Sequence, residues 1–228
     1  MSTKRQLTIL AGSDLHNSRP GFEWFCHLAE VRQPQLIAFL GDIVSRQPLA
    51  FVKEVLVSLR SLAPHCFIIP GNWDPREMLV ETDIAAIDGL RNLHKAQALL
   101  NGYTFAGLGG STTTPIGSTP QETPEAGFVT PLTAVLPADV WLLHNPLYGY
   151  RDQIGPDQHA GSPSLTALWQ QQDPAPVLVL SGHIHEAAGF EQAQGTVFAN
   201  PGSLASRSAA WIALDGDHVS VEMVGAGQ

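Results

Sequence analysis

The chain has 228 residues and a formal net charge of −9, because 21 acidic side chains outnumber 12 basic ones. This length is enough for one well-packed α/β domain, which we expect to span residues 1–228. The acidic balance argues against a surface for nucleic acids or anionic membranes. The apolar run at residues 7–11 is too short for a signal peptide or a membrane span, and Cys26 and Cys66 give no disulfide framework. We therefore expect a cytoplasmic protein with free, buried thiols.

Five short apolar segments have the composition of strands buried on both faces, and each is followed by a potential metal ligand. A predicted helix, Glu23–Val31, joins the first two segments, and a second helix, Pro48–Leu62, follows them, which gives a β-α-β arrangement. Open α/β sheets place ligands at the carboxyl ends of such strands. The five segments are Leu7–Ala11, Gln35–Asp42, Cys66–Ile69, Val140–Leu143 and Val177–Leu180.

The residues that follow these segments form a mixed set of nitrogen and oxygen donors. By itself, Asp14 reads as a helix N-cap and His16 as a surface turn residue. Five strands that each deliver a ligand type at the same end favour metal binding instead. Such a set suits Zn, Mn, Fe or Ni better than Ca or Mg. The candidate ligands are Asp14, His16, Asp42, Asn72, His144, His183 and His185.

The remaining segments predict helices, hairpins and one long loop. Met78–Leu90 has a weak helical pattern, and Gln97–Leu108 predicts a hairpin that turns at Asn101-Gly102. Gly109–Pro131 is rich in Thr, Pro and Gly, and we interpret it as a structureless segment, either a mobile lid over the metal ligands or a disordered surface insertion. The last third of the chain predicts a helix over Ser164–Gln171, a hairpin across Gly195 and a closing hairpin through Asp215-Gly216.

The order of the polar motifs resembles that of the calcineurin-like metallophosphoesterase family, from about Leu7 to Ser203. The motifs are Asp14-x-His16, Gly41-Asp42, Gly71-Asn72-x-Asp74, His144, Gly182-His183-x-His185 and the turn Asn200-Pro201-Gly202-Ser203, which we expect to pack under the site. The resemblance implies an α/β fold of four layers, an αββα sandwich in which helices flank two mixed sheets.

The resemblance also implies two divalent metal ions, drawn from Mn, Fe, Ni and Zn. The first would bind Asp14, His16, Asp42 and His185, and the second would bind Asp42, Asn72, His144 and His183. Asp42 is then the bridging carboxylate between cations about 3.5–4 Å apart, and the water between them ionises near neutral pH. The resulting hydroxide attacks phosphorus while the metals stabilise the charge of the transition state.

One motif departs from the family in a way that bears on catalysis. The usual form is Gly-Asn-His-Asp, whose histidine is given a role in protonating the leaving group, and Trp73 stands in its place. An indole has no proton chemistry near neutral pH, so Trp73 cannot be this acid. Trp73 is either a packing residue, with Asn72 a turn amide, or, as we favour, a wall of the substrate pocket. Ser45 also replaces an acidic or amide residue of the family, which puts one contact behind the metal ligands in question.

Other residues are candidates for contact with the substrate. His159-Ala160-Gly161-Ser162 resembles a segment of small prokaryotic phosphoesterases, so His159 is a candidate substrate contact or proton donor. The Gly161-Ser162 start of the following helix offers N–H groups to a phosphate oxygen, unless Ser162 only caps the helix. Tyr148 is a further candidate for the pocket.

The sequence therefore predicts a metal-dependent phosphoesterase, with Asp42, Asn72 and His159 as catalytic residues. General acid catalysis contributes about 10²- to 10⁴-fold, so a missing acid favours a phosphodiester or monoester with a good leaving group. The alternative is a scaffold or sensor of the same fold, which Trp73 suits but the complete ligand set does not. A nuclease is disfavoured because there is no basic stripe. We expect a small phosphate ester as the partner and no nucleic acid or membrane; the oligomeric state stays open, a homodimer included.

Overall fold

Two six-stranded mixed sheets form the centre of the computed structural model, which describes residues 4–45, 49–76, 88–114 and 119–225. In the first sheet, the strands in spatial order are β16 (His218–Gly225), β15 (Ser208–Asp215), β1 (Leu7–Gly12), β2 (Leu36–Phe39), β3 (His65–Ile68) and β4 (Leu90–Asn92). From β1 to β4 the pairing is parallel, and β15 joins β1 antiparallel. The three strands β1, β2 and β3 therefore end at the same edge.

The second sheet repeats this plan. In spatial order its strands are β13 (Gly189–Ala193), β14 (Thr196–Asn200), β12 (Leu178–Leu180), β9 (Val140–Leu143), β6 (Tyr103–Leu108) and β5 (Ala96–Leu100). The four central strands are parallel, and the hairpin partners β13 and β5 run antiparallel at the two edges. Two small pairs join β7 (Ser111–Thr112) to β8 (Glu122–Thr123) and β10 (Gln153–Gly155) to β11 (Gln158–His159).

Five α-helices are seen among the described residues: α1 (Arg19–Arg32), α2 (Leu49–Ser61), α3 (Glu125–Phe128), α4 (Thr130–Thr133) and α5 (Pro163–Gln170). Two 3₁₀ turns follow, at His185–Ala187 and Leu204–Ser206. None of the helices in this described part has the length and apolar character needed to cross a lipid bilayer.

Strand side chains are buried on both faces, which accounts for the layers. In β2, Leu36 and Ala38 pack in the core between the two sheets, while Ile37 and Phe39 pack with α1 and α2 on the outer side. The second sheet does the same, with Trp141 among the outer side chains that pack against α4 and α5. The four-layer αββα sandwich predicted from the sequence is confirmed.

Most of the predicted elements are confirmed, with shifted ends. α1 begins at Arg19 rather than Glu23, because the Ser18 hydroxyl accepts a hydrogen bond from the Gly21 N–H and Pro20 occupies the first turn. The turn at Asn101-Gly102 joins β5 to β6 as expected. Both cysteines are free thiols, although Cys26 is only half-buried.

Two predictions concern segments that the structure describes only in part. Of the predicted helix Met78–Leu90, residues 78–87 lie outside the described residues, and Leu90 opens β4 instead of ending a helix. Within Gly109–Pro131, the described residues form β7, β8, α3 and the start of α4, so the expectation of a structureless segment is wrong for them. Its movement as a lid stays a prediction.

Candidate metal centre

The carboxyl ends of five parallel strands meet where the two sheets face each other. β1, β2 and β3 are consecutive neighbours in one sheet, and β9 and β12 are neighbours in the other. Backbone hydrogen bonds connect the loops that follow these strands. The Asp14 N–H donates to the Gly41 oxygen (3.0 Å), and the Gly182 N–H donates to the His144 oxygen (3.1 Å). The polar residues after each strand are thereby held together at one place.

Four of the candidate ligands have a left-handed backbone. The φ angle is 55° at Asp14, 45° at His16, 54° at Asp42 and 68° at His183. Residues with a Cβ adopt this conformation only in a few per cent of cases, although Asp and His do so more readily than most, and the tight turns after the strands require it here. The loops approach so closely that a Cβ at Gly71 would collide with the Asp42 carboxylate.

Asp14, His16 and His185 form one cluster, which we call the outer triad. One ligand atom from each lies within 4.8 Å of the others. Asp14 Oδ1 is 3.2 Å from His185 Nε2 and 3.6 Å from His16 Nε2. Asp14 is buried, whereas His185 is exposed and His16 partly so, which leaves this triad open to solvent. The His16 Nδ1 atom is 2.9 Å from the Ser45 hydroxyl, so the Nε2 atom is the one that faces the carboxylates.

Asp42, His144 and His183 form a second cluster, the inner triad, with ligand atoms again within 4.8 Å of one another. His144 is fully buried, and its Nδ1–H donates to the Leu40 oxygen at 2.7 Å. In the neutral ring this leaves the lone pair on Nε2, the tautomer that a metal requires. That Nε2 atom lies 3.0 Å from Asn72 Oδ1, so the amide oxygen of Asn72 joins the inner triad.

The Asp42 carboxylate lies between the two triads. Its Oδ2 atom is 3.5 Å from His144 Nε2 and 3.7 Å from His16 Nε2, while its Oδ1 atom accepts the Trp73 N–H at 2.8 Å. Asp14 Oδ1 is buried and accepts no hydrogen bond from the described residues. Carboxylate oxygens, imidazole nitrogens and an amide oxygen are the atom types that bind divalent metals, so the two triads would hold two cations, with Asp42 within reach of both groups of histidines.

The C-terminal part of the chain supports this site from below. The Ser203 hydroxyl donates to the Asp14 backbone oxygen at 2.7 Å, and the Leu204 N–H donates to the Ser13 oxygen at 2.9 Å. The Asn200 side chain donates to the Ile184 oxygen at 2.8 Å. The turn that follows β14 therefore packs under the outer triad, as the sequence predicts.

The charges of the two triads shift the pKa values of their members. Burial alone would raise the pKa of Asp14, but contacts with the two histidines of the outer triad hold it well below its ordinary value. Burial alone would lower the pKa of His144, but the neighbouring carboxylates, Asp42 foremost, raise it to about 9. Burial and the charge of His144 lower the pKa of His183 to about 4. Without a metal, the inner triad thus holds a proton on His144 that a metal must displace.

Asp74 belongs to the Gly71-Asn72-x-Asp74 motif, but the sequence analysis gave it no role. It is fully buried, and its carboxylate accepts the N–H groups of Asp42 (2.8 Å), Gly71 (2.8 Å) and Val44 (3.2 Å). Burial and then the charge of Asp42 raise the pKa of Asp74 to about 7, against the opposing effect of the N–H donors. Asp74 fixes the loops after β2 and β3 relative to each other. Its place two residues after Asn72, in a predicted turn where an Asp side chain can accept backbone N–H groups, was the available signal.

Ser45 makes the contact behind the metal ligands that its difference from the family had put in question. The serine hydroxyl contacts His16, so the contact behind the metal ligands is present even though the residue type differs from the family.

Comparison with known proteins decides the family. A model described as calcineurin-like phosphoesterase matches residues 7–187. The chain belongs to this family. An uncharacterised protein of Methanocaldococcus jannaschii is 27% identical over 208 residues, which covers 86% of this chain and 88% of that protein.

Two solved structures show the same fold as this phosphoesterase chain. TT1561 of Thermus thermophilus superposes with a TM-score of 0.71 at 21% identity, covering 95% of this chain and 98% of that one. A dimetal phosphatase from Danio rerio superposes with a TM-score of 0.69 at 12% identity, covering 96% of each chain. At these identities the likeness concerns the fold.

The residues around Asn72 connect the phosphoesterase site to the segment predicted as a lid. The Asn72 Nδ2 donates to the Thr119 hydroxyl at 3.2 Å, and the Gln121 N–H donates to the Asn72 backbone oxygen at 3.1 Å. Trp73 is half-buried and contacts Asp42 through its backbone N–H. Its role as a wall of the substrate pocket stays a prediction.

His159 is paired with a buried carboxylate. Its Nδ1 atom is 2.6 Å from Asp152 Oδ1, and Asp152 is 1% exposed. The exposed ring of Tyr148 lies 5.1 Å from the His159 ring between centroids. His159 lines a cavity of about 200 Å³ together with Glu186, which directly follows the metal-ligand candidate His185. His159 therefore lies on the side of the outer triad.

The start of α5 differs from the predicted phosphate contact. The Ser162 hydroxyl accepts the Leu165 N–H at 3.2 Å and donates to Glu125 at 2.7 Å. The Ser164 N–H also donates to Glu125 (2.8 Å), and the Gly161 N–H donates to Asp152 (2.9 Å). The capping interpretation of Ser162 is confirmed. Because Glu125 supplies the anion at this helix start, the pairing argues against Gly161 and Ser162 as substrate contacts.

Proposed function

We propose that this chain is a binuclear metal-dependent phosphoesterase that hydrolyses a small phosphate ester with a good leaving group, a diester in preference to a monoester. The observation that carries the proposal is the Asp42 Oδ2 atom, which faces His144 at 3.5 Å and His16 at 3.7 Å. Two divalent cations, from Mn, Fe, Ni and Zn, would supply Lewis-acid polarisation of the phosphate and a lowered pKa of water. A cytoplasmic location and the absence of a nucleic-acid or membrane partner belong to the same proposal.

The two triads have different roles in this proposal. The inner triad, together with Asn72, is buried and oriented by fixed hydrogen bonds, so it holds its ligand atoms in one geometry. The outer triad opens to solvent through His16 and His185, which gives a phosphate ester its path to the site. The Asp42 carboxylate lies between the two triads and fixes their positions relative to each other. Its own orientation depends on the hydrogen bond that the Trp73 N–H donates.

His159 is the candidate proton donor that replaces the family histidine. The buried Asp152 fixes the ring through Nδ1, so Nε2 is the nitrogen that can give a proton to a leaving group. A histidine that a carboxylate holds in one orientation is suited to general acid catalysis, which depends on a positioned proton donor. His159 would then extend the substrate range beyond esters with good leaving groups.

The proposal is tested by turnover of bis-p-nitrophenyl phosphate and p-nitrophenyl phosphate after the chain is stripped of metal and reloaded with Mn, Ni or Zn. We expect metal-dependent turnover, higher on the diester. Asp42→Asn should lower it at least about 100-fold, since even contacts behind metal ligands are worth about 10- to 100-fold. Asp157→Asn is the matched control, because Asp157 is exposed and has the same φ of 54° as Asp42. Tight metal binding without turnover on either ester would favour the scaffold.

The role of His159 is tested by the leaving group. In His159→Gln, we expect hydrolysis of an alkyl phosphodiester to fall by about 10²- to 10⁴-fold, whereas the nitrophenyl ester, which needs no acid, changes little. Asp152→Asn should show the same split to a smaller degree. Equal losses on both esters would contradict a role as proton donor.

A further inference from the structure

Residues 119–121, which we call the strap, lie against the loop that carries Asn72. The Gln121 N–H donates to the Asn72 backbone oxygen at 3.1 Å. The Gln121 Nε2 group donates to the backbone oxygens of Asp74 (2.8 Å) and Pro75 (3.0 Å). Three hydrogen bonds from one residue of the strap thus fix the loop that follows β3.

The strap is itself held by two further hydrogen bonds. The Ser111 N–H in β7 donates to the Gln121 oxygen at 3.2 Å, and the Arg76 Nε–H donates to the Pro120 oxygen at 2.7 Å. β7 pairs with β8, which begins directly after the strap. None of these bonds involves the side chain of Thr119. A change of that side chain should therefore leave the strap in place.

The two ends of the Asn72 amide have different neighbours. Asn72 and Thr119 are both buried. The Oδ1 atom is 3.0 Å from His144 Nε2, at the inner triad, whereas the Nδ2 group donates to the Thr119 hydroxyl at 3.2 Å. A carboxamide has an acceptor at one end and donors at the other, and only its oxygen end can bind a cation. The Thr119 contact is therefore made by the end that does not bind metal.

The Thr119 hydroxyl supports the amide orientation that a metal needs. If the amide turned by 180°, its NH₂ group would face His144 and would exclude a cation from the inner triad. In the observed orientation, the NH₂ group has a buried acceptor, and a buried donor that loses its acceptor is costly. A side chain of the same shape without a hydroxyl would remove this acceptor from Asn72.

We propose that Thr119 is a positioning residue of the metal centre, which accepts the Asn72 Nδ2–H and thereby directs Oδ1 to the cation of the inner triad. The inference rests on the proposed function, because it assigns an orienting partner to one ligand of the two-metal site. The Leu40 oxygen does the same for His144. Partners of this kind are worth about 10- to 100-fold in metal affinity.

Zinc affinity of the full chain, measured by chelator competition without any phosphate ester, tests this role. Thr119→Val keeps the shape of the side chain but removes the acceptor. We expect one of two zinc ions to bind about 10- to 100-fold more weakly. The other ion should keep its affinity within about twofold, because its ligands are not in contact with Thr119. Thr119→Ser restores the hydroxyl and should recover most of the loss.

A double-mutant cycle with Asn72→Ala separates positioning from a general structural role. If Thr119 acts through Asn72, adding Thr119→Val to Asn72→Ala should change zinc affinity by less than about twofold. A residue that only maintains the loop would cause the same loss in both backgrounds. Urea unfolding in EDTA checks that each variant is folded, and Thr119→Ala, which also lacks the acceptor, replaces the valine variant if that one does not fold.

Three results would overturn the role of Thr119: wild-type zinc affinity in Thr119→Val, an equal loss in the serine and valine variants, or an equal loss with and without Asn72. These outcomes are distinct from failure of the phosphoesterase proposal. A wild-type chain that binds zinc but turns over neither nitrophenyl ester would contradict the enzyme and still allow the role of Thr119. A wild-type chain with turnover, beside a valine variant of unchanged affinity, would contradict only Thr119.

Discussion

The strand ends that carry the two triads and the start of α5 both present polar groups suited to phosphate chemistry, yet they differ in how these groups are paired. At α5, the Ser162 hydroxyl and the Ser164 N–H are bound to Glu125. At the strand ends, Asp14 Oδ1 is buried and faces histidine nitrogens, and it accepts no hydrogen bond within the described part of the chain. At α5, the hydrogen bonds of the helix start are completed within the protein. At the strand ends, the polar groups need a ligand from outside the protein.

This difference shows that pairing, more than residue type, separates a ligand site from a structural cap. Both regions have residues that bind anions or metals in other proteins, and each contains buried polar side chains, Asp14 at the strand ends and Ser162 at α5. Buried polar atoms without partners are costly unless a ligand completes them. Changing residues in each region should therefore affect different properties: metal binding and turnover at the strand ends, and only stability at the helix start.

Among residues at the strand ends that are not themselves predicted ligands, the largest expected effect comes from Asp74, which is bound to three backbone N–H groups. In Asp74→Asn, one amide oxygen remains and an NH₂ group faces a backbone N–H. We expect metal affinity to fall by about 10- to 100-fold and the free energy of unfolding to fall by about 1–3 kcal/mol. Zinc titration and urea unfolding measure the two effects, with Asp157→Asn as the control. Wild-type metal affinity in this variant would show that Asp74 does not position the ligands.

The next effect is a dependence on pH. His144 has a pKa raised to about 9 without metal, so a metal must displace a proton at lower pH. Apparent metal affinity should rise by up to about tenfold per pH unit from pH 7 to 9 and then level off. The free energy of unfolding of the metal-free chain should instead fall over this pH range. The raised pKa of His144 contributes stability that is complete below about pH 6.5 and is lost as the pH rises through about 9.

Melting curves in EDTA and in excess metal, together with chelator competition across this pH range, measure both trends. Parallel trends in the two conditions would mean that no proton on His144 is exchanged for the metal.

A smaller effect is expected from Ser45→Ala, which removes the hydroxyl next to His16 Nδ1. One hydrogen bond of this kind contributes about 0.5–1.5 kcal/mol, so metal affinity of the outer triad should fall about two- to tenfold. Ser45→Thr keeps a hydroxyl and should recover most of the loss. If alanine and threonine behave alike, the contact with His16 has no bearing on the metal.

The smallest effect on turnover should come from the other region. In Ser162→Ala, the cap of α5 is lost, and we expect about 0.5–2 kcal/mol less stability with unchanged kcat and KM. Thermal unfolding and steady-state kinetics on the nitrophenyl diester measure this. A raised KM at unchanged kcat would reinstate Ser162 as a substrate contact and would remove the contrast between the two regions.

The local sequence was sufficient to predict the strands and the candidate ligands at their ends. Apolar runs followed by ligand types need no knowledge of distant residues, so Asp42 and His144 were identified with their strands. The role of Asp74 was not predictable in this way, because its three donors come from two different loops. The same holds for Glu125, which meets Ser162 from 37 positions earlier in the chain. The start of α1 was predictable from Ser18 and Pro20.

The support under Asp14 has a consequence for how the chain folds. Asp14 bonds to the His183 N–H and to the Ser203 hydroxyl, which are 169 and 189 positions away in sequence. We expect contacts this distant to form late in folding, because the entropy of closing long loops is lost before such contacts stabilise the chain. A cation therefore finds its ligands only in a nearly complete native state. Metal should lower the unfolding rate and leave the refolding rate almost unchanged, because it stabilises the native state and not the transition state for folding.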